Sequence, residues 1–266
     1  QSDMVRSMDS GNQCTAITPR PLGPVRDEGT PQGVDIVIAL DVSNSMLAQD
    51  IKPNRLERAK HKIADLLDML EGDRVGLVAF AGTSYLQTPL TLDYEAARIF
   101  LTAIDTELIP VQGTALGHAL RTSVKAFNTK DTSSRAVILI TDGEDQTGDA
   151  LPAAKWVREQ EVKVFSIGIG AETGAPIPNP ELSGSGFKKD PQGQVVLTKL
   201  DEATLQKIAL ETGGSYVRSV TGDMDLQKIY LDNIKHKVKK KEFTTERRKI
   251  WQERFQWMIF VALIFL

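Results

Sequence analysis

The alternation of apolar and polar positions changes sharply at residue 34. Val34-Asp-Ile-Val-Ile-Ala-Leu40 is a nearly continuous β-branched and apolar run, the pattern of a strand buried on both faces. Similar runs recur at wide spacing: Arg74-Val-Gly-Leu-Val-Ala-Phe80, Arg135-Ala-Val-Ile-Leu-Ile140, Lys163-Val-Phe-Ser-Ile-Gly-Ile169 and Gly214-Ser-Tyr-Val-Arg-Ser-Val220. Between them the period lengthens to that of a helix. The clearest case sets Leu56, Ala59, Ile63, Leu66, Leu67 and Leu70 on one stripe, with Lys60, Lys62, Asp65 and Asp68 largely opposite. Asn54 can cap its start and Gly72 ends it. Further helices are expected at 93–104, 114–128, 149–161, 201–212 and 223–238, with Asp93 and Asp149 as N-caps. Strands alternating with helices predict an α/β fold, doubly wound, with a mostly parallel sheet and helices on both faces. Tyr85-Leu-Gln-Thr-Pro-Leu90 contains a proline and belongs at a sheet edge. Residues 171–199 break the alternation. There Asp190-Pro-Gln-Gly193 is a good turn followed by Val195-Val-Leu197, which predicts a small inserted hairpin.

The flanks read differently. Residues 1–32 carry scattered prolines and glycines with no periodic pattern and form a flexible or atypical leader. Residues 33–222 hold the α/β domain, and 223–250 a helix followed by a basic stretch. Within 235–249 lie eight Lys or Arg against two Glu. Trp257-Met-Ile-Phe-Val-Ala-Leu-Ile-Phe-Leu266 is apolar throughout; a spanning helix needs about 20 such residues. With Trp251 and Trp257 suited to a membrane interface, 251–266 is expected to be the start of a transmembrane helix. There is no initiator Met and no signal peptide, so both ends are expected to continue beyond the sequence given.

Composition narrows the function classes. Of 266 residues, 41% are hydrophobic and 25% charged, ordinary for a globular chain, and the net charge of −3 argues against nucleic acid as a partner. Cys14 is the only cysteine, so no intramolecular disulfide can form, and no apolar stretch before it suggests a lipoprotein signal.

Ligands of open parallel sheets sit beyond the carboxyl ends of the strands, near the switch in strand order. Three polar clusters fall there. Asp41, Ser43 and Ser45 follow the first strand, Thr114 sits in Gln112-Gly113-Thr114 at a helix start, and Asp142 follows the 135–140 strand. All offer oxygen and none sulfur or imidazole, which selects a hard cation: Mg²⁺, with Mn²⁺ or Ca²⁺ as alternatives. Hydroxyl ligands leave such an ion electrophilic, with Asp41 and Asp142 holding its waters and one position free for an outside carboxylate. That suits gripping an acidic residue more than transforming it. An aspartyl phosphotransferase using Asp41 would need a second carboxylate at position 43, which is Ser. No Gly-x-Ser-x-Gly elbow surrounds Ser43 or Ser45, and no Walker or Gly-x-Gly-x-x-Gly motif is present. The chain is therefore expected not to be an enzyme. Asn44, Met46, Gly113, His118, Glu144 and Asp145 are expected to form a rim that contacts the partner, while His61 reads as a solvated helix residue.

Asp-x-Ser-x-Ser followed by a Thr and then an Asp resembles the metal-ion-dependent adhesion site of von Willebrand factor A (VWA) domains, over roughly 33–221. The resemblance implies that Ser43, Ser45 and Thr114 ligate the metal directly or nearly so, and that Asp41 and Asp142 act through water. Within that family, Leu40 to Lys60, Gly72 to Gly82, Pro110-Val-Gln-Gly-Thr-Ala-Leu-Gly117, Gly174-Ala-Pro-Ile-Pro178 and Gly213-Gly-Ser-Tyr216 resemble the BatB-like membrane proteins of bacterial aerotolerance operons. That likeness implies two amino-terminal transmembrane helices, which residues 1–30 do not match, and a carboxyl-terminal one. It implies as partners a protein with an exposed Asp or Glu, another VWA Bat protein, a tetratricopeptide-repeat protein and a MoxR-type AAA+ ATPase. It also implies an extracytoplasmic domain on the bacterial inner membrane, although the basic stretch taken alone favours the cytoplasmic side. An alternative within the same resemblance is a non-catalytic VWA subunit of an AAA+ machine for remodelling or for cofactor or metal insertion.

Overall fold

The structure, a computed structural model, describes residues 33–127, 134–179, 186–219, 230, 231 and 234. They all belong to the second of two units, Gln1–Pro31 and Gln32–Leu266.

The continuous apolar runs form strands covered on both sides. β1 (Asp35–Asp41), β2 (Arg74–Phe80), β4 (Arg135–Thr141), β5 (Lys163–Gly168) and β8 (Tyr216–Arg218) run parallel. β3 (Ser84–Thr91) pairs antiparallel with β2, giving the order β3-β2-β1-β4-β5-β8. Pro89 thus lies on an edge strand, where a missing N–H breaks no ladder. Alternate residues of each strand face opposite layers. Ile36, Ile38 and Leu40 pack with α1 (Arg55–Met69) and α2 (Tyr94–Ala103). Val37 and Ala39 pack with α3 (Leu116–Lys125), α4 (Ala150–Glu159) and α5 (Glu202–Thr212). The expected doubly wound α/β sandwich is the observed one.

The starts of α1, α2 and α5 follow local chemistry, whereas α3 and α4 have no side-chain cap at the preceding residue. Asn54 accepts a hydrogen bond from Glu57 N and Asp93 from Ala96 N, as N-caps do. At α4 the residue before the helix, Asp149, makes no capping bond. Asp145 takes that role, accepting from Ala150 N, while Asp149 is drawn away by Arg121 and the Thr147 hydroxyl. On α1, Lys62 is buried instead of facing solvent. It shares the i, i+3, i+4 progression of Arg55, Ala59 and Leu66, so its spacing puts it inside the apolar stripe.

The described residues 175–179 and 186–198 form the antiparallel pairings of a ribbon. β6 (Ala175–Pro176) pairs with β7 (Leu197–Thr198), and bridges join Pro178 to Phe187 and Lys189 to Val195. The turn at Asp190–Gly193 is closed by the Asp190 carboxylate, which accepts from Gln192 N and Gln194 N. Ala175, Ile177 and Thr198 turn inward and are buried, while Phe187, Val195 and Leu197 are exposed.

Tyr230 and Ile234 are fully buried against the α1 layer. The rest of the expected 223–238 helix, the basic stretch, the leader and the expected transmembrane segment at 251–266 lie outside the described residues. Among the described residues no helix is long and apolar enough to cross a membrane.

Candidate metal centre

The strand order turns at β1, whose neighbours are β2 on one side and β4 on the other. The crevice beyond their carboxyl ends is where such sheets take ligands. Asp41 is the last residue of β1, and Asp142 directly follows β4; both are fully buried. After Asp41 the chain makes a short 3-10 turn, Asn44–Leu47, instead of the simple polar turn that its residues suggest. This turn folds Ser45 back onto Ser43, with the two hydroxyl oxygens 2.8 Å apart. Thr114, buried, lies just before α3, where Ala115 N donates to Ala81 O at the end of β2. Gly113 permits that approach: its φ is +116°, and a Cβ there would meet Gln146 Oε1 at 2.7 Å. The five expected ligand residues therefore sit on the loops that leave β1 and β4 and lead into α3, at one end of the sheet.

Asp41 is tied by both oxygens: Oδ1 accepts from Ser43 N at 2.9 Å and Oδ2 from the Thr141 hydroxyl at 2.6 Å. Burial, reinforced by the neighbouring Asp142 charge, outweighs these bonds and pushes its carboxyl up to about 7. Asp142 Oδ2 accepts from Arg55 Nη1 at 3.1 Å and from the Thr198 hydroxyl at 3.0 Å. Arg55 is fully buried at the first position of α1, and its Nε and Nη2 hold both oxygens of Asp50 at 2.9 and 2.8 Å. Burial works against the Asp50 charge, but the Arg55 bonds and charge prevail and hold its carboxyl below the ordinary range.

Arg55, Asp50 and Thr198 are absent from the ligand set inferred from sequence, yet they form its inner wall. For Asp50 and Arg55 a signal was available, since both lie in the Leu40–Lys60 stretch that carries the family likeness. Thr198 comes from the inserted ribbon and offered none.

The expected rim changes more. Met46 is 0% exposed and packs in the core beneath the 3-10 turn, so it cannot contact a partner. The turn points its apolar side chain inward as it brings the serines together. Asp145 is occupied by Thr147 and Ala150 N at the start of α4. Glu144 accepts from Lys199 N at 2.6 Å, which pins it to the ribbon, and burial together with the Asp142 charge raises its carboxyl. Asn44 and Gly113 stay partly exposed and His118 exposed. Gln112 bridges the loops: its Oε1 accepts from Asn44 N, and its Nε2 donates to the Thr106 and Ile109 carbonyls. His61 is exposed on α1, as expected.

The residues present fit a divalent cation on two counts. Asp41 and Asp142 are fully buried close together, and among the described residues Asp41 has no basic partner, Arg55 meeting Asp142 and Asp50 instead. Unpaired buried charge of that kind is costly. The 2.8 Å between Ser43 Oγ and Ser45 Oγ also matches adjacent corners of an octahedron, about 2.9 Å apart for ligands at about 2.05 Å. Among the described residues no group of three His, Cys, Asp or Glu converges on a point, so the donors on offer are hydroxyls and carboxylates, a hard set.

Comparison with known proteins agrees with this geometry. A profile of the von Willebrand factor type A domain matches residues 36–144. BatB from Bacteroides thetaiotaomicron is 41% identical, the match covering 78% of this chain and 100% of that one with a TM-score of 0.74. An aerotolerance-related membrane protein from Bacteroides fragilis is 42% identical, covering 75% and 98%, with a TM-score of 0.72. An uncharacterised protein of Borreliella burgdorferi is 29% identical over 231 residues, and the match takes in 83% of this chain but 64% of that protein. The chain thus spans less than two thirds of the length of the curated relatives it matches first. From its sheet order, the residues at its switch point and these identities, the chain belongs to the von Willebrand factor A family and resembles its BatB-like members.

Proposed function

We propose that Asp41, Ser43, Ser45, Thr114 and Asp142 hold a divalent cation, Mg²⁺ in the first instance, and that the domain uses it to bind an Asp or Glu side chain of a partner protein. The observation that carries this reading is the gathering of the buried Asp41 and Asp142 carboxylates with the buried Ser43, Ser45 and Thr114 hydroxyls beyond the carboxyl ends of β1 and β4. The serine and threonine hydroxyls serve as ligands, and Asp41 and Asp142 orient water around the ion. With hydroxyl ligands the ion keeps its affinity for an outside carboxylate, which completes its shell. The role is adhesion without catalysis. The arrangement holds no paired general acid and base, and His61 and His118 are exposed residues of α1 and α3. The name of the Bacteroides fragilis relative, an aerotolerance-related membrane protein, supports a setting on a bacterial membrane, where we place the chain in an aerotolerance-related complex.

Titration calorimetry of the chain with Mg²⁺, Mn²⁺ and Ca²⁺ tests the ion. One saturable site is expected, lost in Asp41→Ala and in Ser43→Ala. Capture of partner from membranes in Mg²⁺, and its release by chelator, tests adhesion. Capture that persists in both variants would sink the reading.

A further inference from the structure

The loop between α2 and α3 carries four consecutive apolar residues, Leu108-Ile-Pro-Val111, immediately before Gln112-Gly-Thr114. Only Ile109 turns into the core, where it is 0% exposed. Leu108 and Val111 are 36% and 57% exposed, and Pro110 is exposed between them. A single apolar side chain at the surface is ordinary, but a run of them left in water is not. The loop is fastened in this position. Gln112 Nε2 donates to the Thr106 and Ile109 carbonyls, Leu108 N to Asp105 O, and Gly82 N to Val111 O. The same glutamine accepts from Asn44 N, which ties the run to the turn that carries Ser45. Val111 lies three positions before Thr114, a reach of at most about 11 Å. Tyr85 adds to this side of the molecule. It pairs with Ala79 across β2 and β3, and Ala79 and Ile109 share one core layer, so the Tyr85 ring, half exposed, stands on the sheet face where this loop packs.

We propose that Leu108, Pro110 and Val111, with Tyr85, form an apolar subsite beside the metal centre, and that the partner segment it fits is extended and carries one Asp or Glu with an apolar side chain two or three positions away. This rests on the metal reading above: the ion takes the acid and the apolar run takes its neighbour. In an extended segment alternate side chains point the same way and lie about 7 Å apart, which matches the reach from Thr114 to Val111. The charge of the loop narrows the partner further. Its exposed ionisable residues, Asp105 and Glu107, are both acidic, so a run of acids is repelled and a lone acid among apolar residues is favoured. Because the loop is held before anything binds, covering it costs little ordering.

The test is fluorescence anisotropy of the full chain with labelled synthetic peptides, in Mg²⁺ and in chelator. One peptide carries a central Glu among Gly and Ser. A second adds Leu two and three positions from the Glu on either side, a third puts Asp at those places, and a fourth repeats the second with Gln for Glu. In Mg²⁺ the Leu peptide is expected to bind about tenfold more tightly than the Gly-Ser peptide, from partial burial of an apolar side chain, and the Asp peptide more weakly than either. Leu108→Gln combined with Val111→Thr changes exposed side chains outside the metal ligand set. It is expected to erase the Leu advantage while calorimetry shows the same Mg²⁺ uptake and melting shows an intact fold. Equal binding of the Leu and Gly-Ser peptides, with Mg²⁺ uptake intact, overturns this inference and leaves the metal reading standing. A Gln peptide bound as tightly as its Glu counterpart, or a parent that takes up no Mg²⁺, overturns the metal reading and this inference with it. Self-association of the parent in sedimentation, abolished by the double variant, assigns the apolar run to a second copy and also overturns the proposal.

Discussion

The two ends of the sheet both bury carboxylates, with different neighbours. At the amino end, Asp73 precedes β2 and is closed on all sides: Oδ1 accepts from Val34 N at 2.7 Å and Oδ2 from the Tyr230 hydroxyl. Beside it, Asp35 is held by Arg74 through two bonds of 2.7 Å. Tyr94 reaches in to donate to the Asp73 carbonyl. Burial and the Asp73 charge raise the Tyr230 phenol, so it stays a donor throughout the ordinary pH range. Each carboxylate there is satisfied within the chain, Asp35 by the Arg74 cation and Asp73 by neutral donors. At the carboxyl end, Asp142 and Asp50 share Arg55, while Asp41 beside Asp142 accepts only from Ser43 N and the Thr141 hydroxyl. Asp73 and Asp41 are each held by one backbone N–H and one hydroxyl; what sets Asp41 apart is the second buried carboxylate, Asp142, beside it.

The largest effect expected is for Arg55→Met. It leaves Asp142 and Asp50 without their counter-charge, and breaking a buried pair costs about 3–5 kcal/mol; denaturant unfolding in chelator measures it. A smaller loss would mean that the carboxyl end tolerates unpaired acid by taking up protons or water.

The same substitution at the two ends is expected to differ in sign. Asp73→Asn weakens the bonds to Val34 and Tyr230 and destabilises by about 1–3 kcal/mol, with Mg²⁺ binding unchanged. Asp41→Asn removes a buried charge that Asp142 opposes, so stability in chelator stays level or rises by about 1 kcal/mol, while the stabilisation by Mg²⁺ disappears. Equal losses for both variants, read from paired unfolding curves with and without Mg²⁺, would erase the distinction between the ends.

Tyr230→Phe deletes one bond to a charged acceptor and is expected to cost about 1.5–3 kcal/mol if the phenyl ring keeps its packing. Its Mg²⁺ titration should overlay that of the parent. A displaced curve would mean that the two ends communicate through the α1 layer.

The smallest effect concerns acid. Arg55 lowers the Asp50 carboxyl in the folded state, so its contribution is present above the unfolded carboxylate value, about 3.9. It is lost as pH falls through the lower folded value. Asp50→Asn should flatten the acid limb of stability below about pH 4 and leave the neutral region unchanged in slope.

Much of this was legible in the chain. Strand runs such as Val34–Leu40 are apolar at every step because both faces are covered, and Asp41 and Asp142 stand out because they interrupt such runs at a fixed place. Asn54 and Asp93 act through neighbours three residues away, which local reading captures. Arg55 does not. Its partners Asp142 and Thr198 lie 87 and 143 residues distant, and nothing in an Arg at a helix start tells a buried guanidinium from a solvated one. Met46 misled for a related reason. It directly follows the polar Ser43-Asn44-Ser45 stretch, and only the 3-10 turn decides that it faces inward. Lys62 shows the converse: its spacing placed it in the stripe, but its charge argued otherwise.

The ribbon of residues 175–179 and 186–198 makes the site observable from a distance. One end of it touches Asp142 through Thr198, and Lys199 next to it holds Glu144. The other end is an exposed turn at Asp190–Gly193. A fluorophore attached through Gln192→Cys would therefore sit on the same ribbon that touches the candidate metal centre through Thr198. Cys14 is the only native thiol in the sequence, so replacing it leaves a single labelling position. Occupancy could then be followed as a change in emission, with no label on the ligand and no substitution among the residues that bind it.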